Sequence, residues 1–171
     1  MVIMGIDPGI ALSGYGILFS EGANIKVVEF GVIKTESHLS IAERLKSIYD
    51  GYLNLMETYN PEAVAIEELF FNKNAKTAIT VGQARGVAML AAASKNIKVY
   101  EYTPLEVKQA IVGYGRAKKF QVQEMVRVLL RLKEVPKPDD AADALAVALC
   151  HVNLIKFNHH IQNKYHDFPR G

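Results

Sequence analysis

Asp7, Glu67, Asp140 and Asp143 are the residues of this sequence whose types and spacing can do chemistry together. Asp7 ends the apolar run 2–6, immediately before Pro8-Gly9, and Glu67 ends a second apolar run, 63–66. Asp140 and Asp143 stand three apart, a spacing that puts both on one face of a helix. Singly, each has a plainer reading. An acid near a helix start is usually a dipole partner, and an Asp before Pro-Gly is often a turn residue. Jointly, four converging carboxylates cannot all stay ionised without a counter-charge. Divalent cations with oxygen ligands supply it, and Mg²⁺ is the expected one.

Strand periodicity decides between neighbouring acids. In 2–7, Ile3, Gly5 and Asp7 share one face, and Val2, Met4 and Ile6 the other. In 63–68, Ala63, Ala65 and Glu67 oppose Val64, Ile66 and Glu68. Each strand thus has a bulky apolar face and a small face ending in a carboxylate. A helical crossover over 41–57 would place the strands parallel and adjacent, with Asp7 beside Glu67 rather than Glu68. Asp139, directly after Pro138, reads as a helix N-cap, which leaves Asp140 and Asp143 for the site. The alanines between and after them allow close approach to the small faces of the strands.

Further strands are expected over 14–20, 25–35 and 97–100, with Glu21-Gly22 as a hairpin turn. Ser40 with Glu43 and Thr103 with Glu106 are capping boxes that start helices. Helices are also expected over 77–94, 119–132 and 139–155, and Gly113-Tyr-Gly115 breaks the chain between two of them. Hairpin strands followed by strand–helix–strand units imply an α/β fold, a mixed central sheet with helices on both faces. Residues 1–157 are expected to form one domain, and 158–171 a polar, ill-ordered tail.

With 171 residues, half of them hydrophobic, the chain can bury a substantial core. A single cysteine, Cys150, makes no internal disulfide and fits a reducing cytoplasm. The first nine residues hold a charge and no basic leader, so neither a signal peptide nor a membrane span is expected. The formal charge of +2 excludes a polybasic DNA-coating protein. It hides an asymmetry: residues 106–137 carry eight basic and three acidic side chains, a net +5. A basic surface on a nearly neutral protein suits a polyanionic partner, and equally a solvated helix face.

Gly5-Ile-Asp-Pro-Gly9, Ala65-Ile-Glu67, Gly82-Gln-Ala-Arg-Gly86 and Asp140-Ala-Ala-Asp-Ala-Leu145 together resemble the RuvC family of Holliday-junction resolvases. The resemblance runs in order from Val2 to about Val152. It implies an RNase H-like fold, a homodimer and Mg²⁺-dependent endonuclease cleavage of four-way DNA junctions in recombination and repair. It places the acidic catalytic and metal-binding site on Asp7, Glu67, Asp140 and Asp143. Two Mg²⁺ ions per site are implied, with Mn²⁺ as a substitute, and hydrolysis would leave a 5′-phosphate. The RuvA and RuvB branch-migration proteins are candidate partners.

The loop after Glu67, Phe70-Phe71-Asn-Lys73-Asn-Ala-Lys76, offers two adjacent aromatics, one of which could stack on an unpaired base. The resemblance assigns Phe70 as the junction wedge. Lys73, Lys76 and Arg85 are expected near phosphates, as is Arg116 in the basic loop 113–119. Lys108 and Lys119 match basic positions that the family places near the scissile phosphate and the DNA backbone. His151, His159, His160 and His166 are not expected to hold a metal, since three lie in the polar tail without a cysteine nearby. The alternative is another RNase H-like nuclease acting on RNA or on non-junction DNA. An actin-type ATP-binding protein needs two lobes, for which the chain is too short, and the full acidic set argues against a non-catalytic junction scaffold.

Overall fold

The computed structural model describes residues 1–68 and 75–166, with side chains for all of these except 75–76 and 158–166. The elements run β1 Val2–Asp7, β2 Leu12–Glu21, β3 Asn24–Lys34, α1 Ile41–Tyr59, β4 Ala63–Glu67, α2 Ala75–Ser94, β5 Lys98–Tyr102, α3 Pro104–Val112, α4 Lys119–Leu129 and α5 Asp139–His166. The five strands form one mixed sheet in the order β3-β2-β1-β4-β5. The β1–β2 and β2–β3 pairs are antiparallel, and β1–β4 and β4–β5 are parallel. Ile3 pairs with Ala63 and Ile6 with Ile66, so Asp7 and Glu67 emerge from neighbouring strands at the same end of the sheet.

The side-chain alternation of β1 and β4 divides the core in two. Met4, Ile6, Val64 and Ile66 face α1 and α2, where they pack with Ile48, Tyr52, Met56, Ala84 and Ala88. Ile3, Ala63 and Ala65 face α3, α4 and α5, among Val107, Val122, Val126, Leu145 and Leu149. The second face is where the sheet lacks bulk. A Cβ at Gly5 would overlap the Ala144 carbonyl oxygen and lie 2.7 Å from the Ala148 amide nitrogen, and one at Gly14 would overlap the Asp140 carbonyl oxygen. Helix α5 therefore lies backbone-to-backbone on β1 and β2, and its first turn reaches the strand ends that carry the carboxylates.

Both expected capping boxes are formed. The Glu43 amide donates to Ser40 Oγ at 3.3 Å and the Ser40 amide donates to Glu43 Oε2 at 2.8 Å. Thr103 and Glu106 make the equivalent pair, with Pro104 opening α3. Three expectations need correction. Helix α5 continues beyond Ile155 to His166, because no Gly or Pro interrupts the chain before Pro169. Helix α4 stops at Leu129 rather than 132, because Arg131 takes a left-handed conformation, φ 54°. Strand β5 runs on to Tyr102, where it pairs with Glu67 of β4. Cys150 and His151 are buried on α5. His151 Nδ1 shares a 2.5 Å hydrogen bond with the Tyr102 hydroxyl, which makes it a core histidine. No described helix is long and apolar enough to cross a membrane.

Candidate active site

The carboxylates gather where β1, β4 and the first turns of α5 meet. Asp7 sits at the end of β1, and its carboxyl is pushed up to about 7, first by burial and then by the charges of Asp143, Glu67 and Asp140; Lys119 opposes the rise. The Glu67 carboxyl is also raised, by burial and then by Asp143, against the pull of Lys108 and Lys119. Burial raises Asp143 as well, offset mainly by its hydrogen bond to Lys119. Glu67 thus shares its electrostatics with Asp143. The neighbouring Glu68 amide instead donates to the Tyr102 carbonyl at the sheet edge.

Lys119, the first residue of α4, is the cation already present. Its Nζ lies 2.8 Å from Asp143 Oδ2 and 3.3 Å from Asp139 Oδ2. Burial pulls the Lys119 ammonium down, but the two carboxylates outweigh it and leave the pKa raised. Asp139 is the first residue of α5, not its cap, because the chain at Pro138 already turns into the helix: the Ala141 amide donates to the Pro138 carbonyl at 3.0 Å. The pairing of Asp139 with Lys119 was missed in the sequence, since nothing local indicates that α4 starts beside α5.

A cleft of about 320 Å³ opens between these groups. Glu67, Asp143, Lys108 and Lys119 bring two carboxylates and two ammonium groups to it, over a floor that includes Val107, Val122 and Val147. An anionic substrate oxygen can approach the lysines there while the carboxylates remain within reach of a cation. The donor set is all oxygen, which suits Mg²⁺ rather than Zn²⁺. Among the described residues no three His, Cys, Asp or Glu side chains stand close enough together to hold a metal ion as they are placed. The carboxylates form an open set, with Lys119 holding Asp143.

The expected nucleic-acid contacts divide. Lys108 and Lys119 line the cleft, and Arg116 is exposed in the loop beside it. Arg85 stands apart from the cleft: its guanidinium is ion-paired with Glu101 of β5 and its side chain is only 18% exposed. Phe70, Phe71, Lys73 and the side chain of Lys76 lie outside the described residues.

The profile of the family described as crossover junction endodeoxyribonuclease RuvC matches residues 3–151. The chain belongs to the RuvC family. A crossover junction endodeoxyribonuclease RuvC of Alkaliphilus oremlandii is 58% identical, over 92% of this chain and 96% of its own length. The namesake from Clostridioides difficile is 55% identical over 95% of this chain and 96% of its own. Among solved structures, Thermus thermophilus RuvC in complex with Holliday junction substrate superposes with a TM-score of 0.88 at 40% identity, covering 92% of this chain and 96% of that one. The yeast mitochondrial Holliday junction resolvase Ydc2 shares the fold, with a TM-score of 0.70 at 13% identity. The RNase H-like fold expected from the sequence is the fold of this RuvC-family chain.

Proposed function

We propose that this chain resolves four-way DNA junctions in the cytoplasm, by paired phosphodiester hydrolysis at a site built from Asp7, Glu67, Asp140 and Asp143. The observation that carries the reading is Asp7 at the end of β1, whose carboxyl is raised to about 7 first by burial and then by the charges of Asp143, Glu67 and Asp140. Such a set is stable in its ionised form only beside a cation, and its oxygen donors fit a divalent one. Mg²⁺ held by these four residues would activate a water and stabilise the departing 3′ oxygen. Lys119 and Lys108 attract and orient the phosphate over the cleft. A turn of the Lys119 ammonium from Asp143 to the phosphate would free Asp143 to hold the cation. The apolar floor keeps bulk water from the back of the cleft.

A junction has two like strands to cut, which calls for two sites related by a two-fold axis. Helix α2 presents a surface for a second copy. Ile79 and Leu90 are 63% and 60% exposed and lie on one face of the helix, and the exposed Gly86 between them gives room for close approach. Phe70 and Phe71 precede α2 in the sequence, and the family resemblance supports Phe70 as the residue that opens stacked bases, with Lys73 and Lys76 on nearby phosphates.

The test compares a synthetic four-way junction with linear duplex and with RNA, with and without Mg²⁺. Symmetric nicks in the junction alone, dependent on Mg²⁺, are expected. Asp7→Asn should lower cleavage at least about 100-fold and leave junction affinity unchanged or tighter, since affinity comes from the basic groups. Equal cutting of duplex or RNA would favour the other nuclease reading.

A further inference from the structure

We infer that Tyr52 and Ser13, which touch neither DNA nor cation, are positioning residues that hold the Asp7 turn in its cation-binding geometry. Three hydrogen bonds form a directed chain beneath that turn. The Gly9 amide donates to Ser13 Oγ at 3.4 Å. Ser13 Oγ and the Tyr52 hydroxyl lie 2.7 Å apart, and the Tyr52 hydroxyl donates to the Gly14 carbonyl at 3.3 Å. One polarity satisfies every member: Ser13 accepts from Gly9 and donates to Tyr52, which accepts from Ser13 and donates to Gly14. Ser13 and Tyr52 are both fully buried, so water cannot replace a missing partner.

The chain spans the residues that fix Asp7. Gly14 is the β2 partner of Asp7 in the antiparallel register, and Gly9 lies two residues beyond Asp7. Tyr52 comes from the middle of α1, so the opposite face of the sheet reaches through to the turn. A second grip from α1 holds the far side. Arg44 Nε donates to Thr35 Oγ1 at 2.8 Å, Arg44 Nη2 donates to the Ile10 carbonyl at 3.2 Å, and Thr35 Oγ1 donates to the same carbonyl at 2.5 Å. The turn between Asp7 and β2 is therefore tied to α1 directly at Ile10 and through Ser13 at Gly9, and Tyr52 also holds Gly14, the strand partner of Asp7.

The inference rests on Asp7 being a cation ligand, and the experiment separates the two claims. Mn²⁺ binding to the DNA-free protein is measured by calorimetry for the wild type, Asp7→Asn, Tyr52→Phe, Ser13→Ala, the Tyr52→Phe/Ser13→Ala double variant and Leu18→Ala. Leu18→Ala is a destabilised control in the core, and temperatures are chosen so that every variant stays folded. Tyr52→Phe should weaken Mn²⁺ binding about 10-fold, the lower end of the effect of outer-shell partners, with junction affinity unchanged. Ser13→Ala should match it, and the double variant should be no worse, because either change breaks the same chain. Wild-type Mn²⁺ affinity in Tyr52→Phe, or an equal loss in Leu18→Ala, would overturn the inference. Wild-type affinity in Asp7→Asn would overturn the site reading itself.

Discussion

On one face of the sheet α5 lies against Gly5 and Gly14 with no side chain between the backbones; on the other, α1 and α2 rest on Met4, Ile6, Ile17, Val64 and Ile66. The first contact brings charged side chains of the helix to strand ends, because the helix sits closer than interposed side chains would allow. The second is an ordinary layer of interlocking apolar groups, able to absorb small changes of shape. Both faces bury apolar side chains, but geometry near the site is set by their absence at Gly5 and Gly14.

The largest difference between the faces should appear on adding one carbon atom. Gly5→Ala must displace α5, since the new Cβ would overlap the Ala144 carbonyl oxygen. We expect a loss of about 3 kcal/mol or more, together with loss of cleavage as Asp140 and Asp143 move away from Asp7. Met4→Leu, one residue earlier and facing α1 and α2, should cost less than about 1.5 kcal/mol and keep activity. Urea unfolding and junction cleavage of both variants check this. An active, stable Gly5→Ala protein would refute the account of the α5 face.

A second difference lies in the response to pH. Asp7 has a folded pKa of about 7 against an ordinary value of 3.8. Folding therefore takes up a proton between those values, and the stability present at low pH is lost as pH rises through about 7. Glu67 and Asp143 are raised too and act in the same direction. Without divalent cation, Tm should fall from pH 5 to pH 8, by an amount on the order of a few kcal/mol in stability. Asp7→Asn should flatten that slope and Mg²⁺ should reverse it. The α1 face contributes nothing here, because Tyr52 is raised well above the usual tyrosine range by burial and stays neutral. A Tm–pH slope identical in wild type and Asp7→Asn would show that the carboxylate crowding is not felt by the fold.

What was legible in the sequence follows the same division. The period of two in β1 and β4 is a local pattern, and it separated Glu67 from Glu68 and the small face from the bulky one. The capping boxes at Ser40 and Thr103 were equally local, each contained within four residues. Pairings between distant elements were not legible. Arg85 and Glu101 meet because α2 packs on β5, and sequence alone left Arg85 free for phosphate. The Ser13–Tyr52 bond joins β2 to α1 across thirty-nine positions, and no motif marks either residue. The end of α5 was placed too early because apolar periodicity fades after Ile155, whereas the helix continues through polar residues.

The smallest expected effect concerns Asp139, whose place beside Lys119 replaces the capping role read from sequence. Its carboxylate is 3.3 Å from Lys119 Nζ, with the two side chains 62% and 55% exposed. An ion pair that open to water is worth about 0–1 kcal/mol. Lys119 also keeps its shorter, less exposed contact with Asp143. Asp139→Asn should therefore change cleavage by no more than about fivefold, with the effect shrinking at high salt. Asp140→Asn should abolish cleavage, because both acids bear on Asp143 but only Asp140 also raises the carboxyl of Asp7. Single-turnover cleavage of the two variants at two salt concentrations makes the comparison. Equal loss in both would make Asp139 as necessary as Asp140, and Lys119 would then bridge two site residues rather than one site residue and its neighbour.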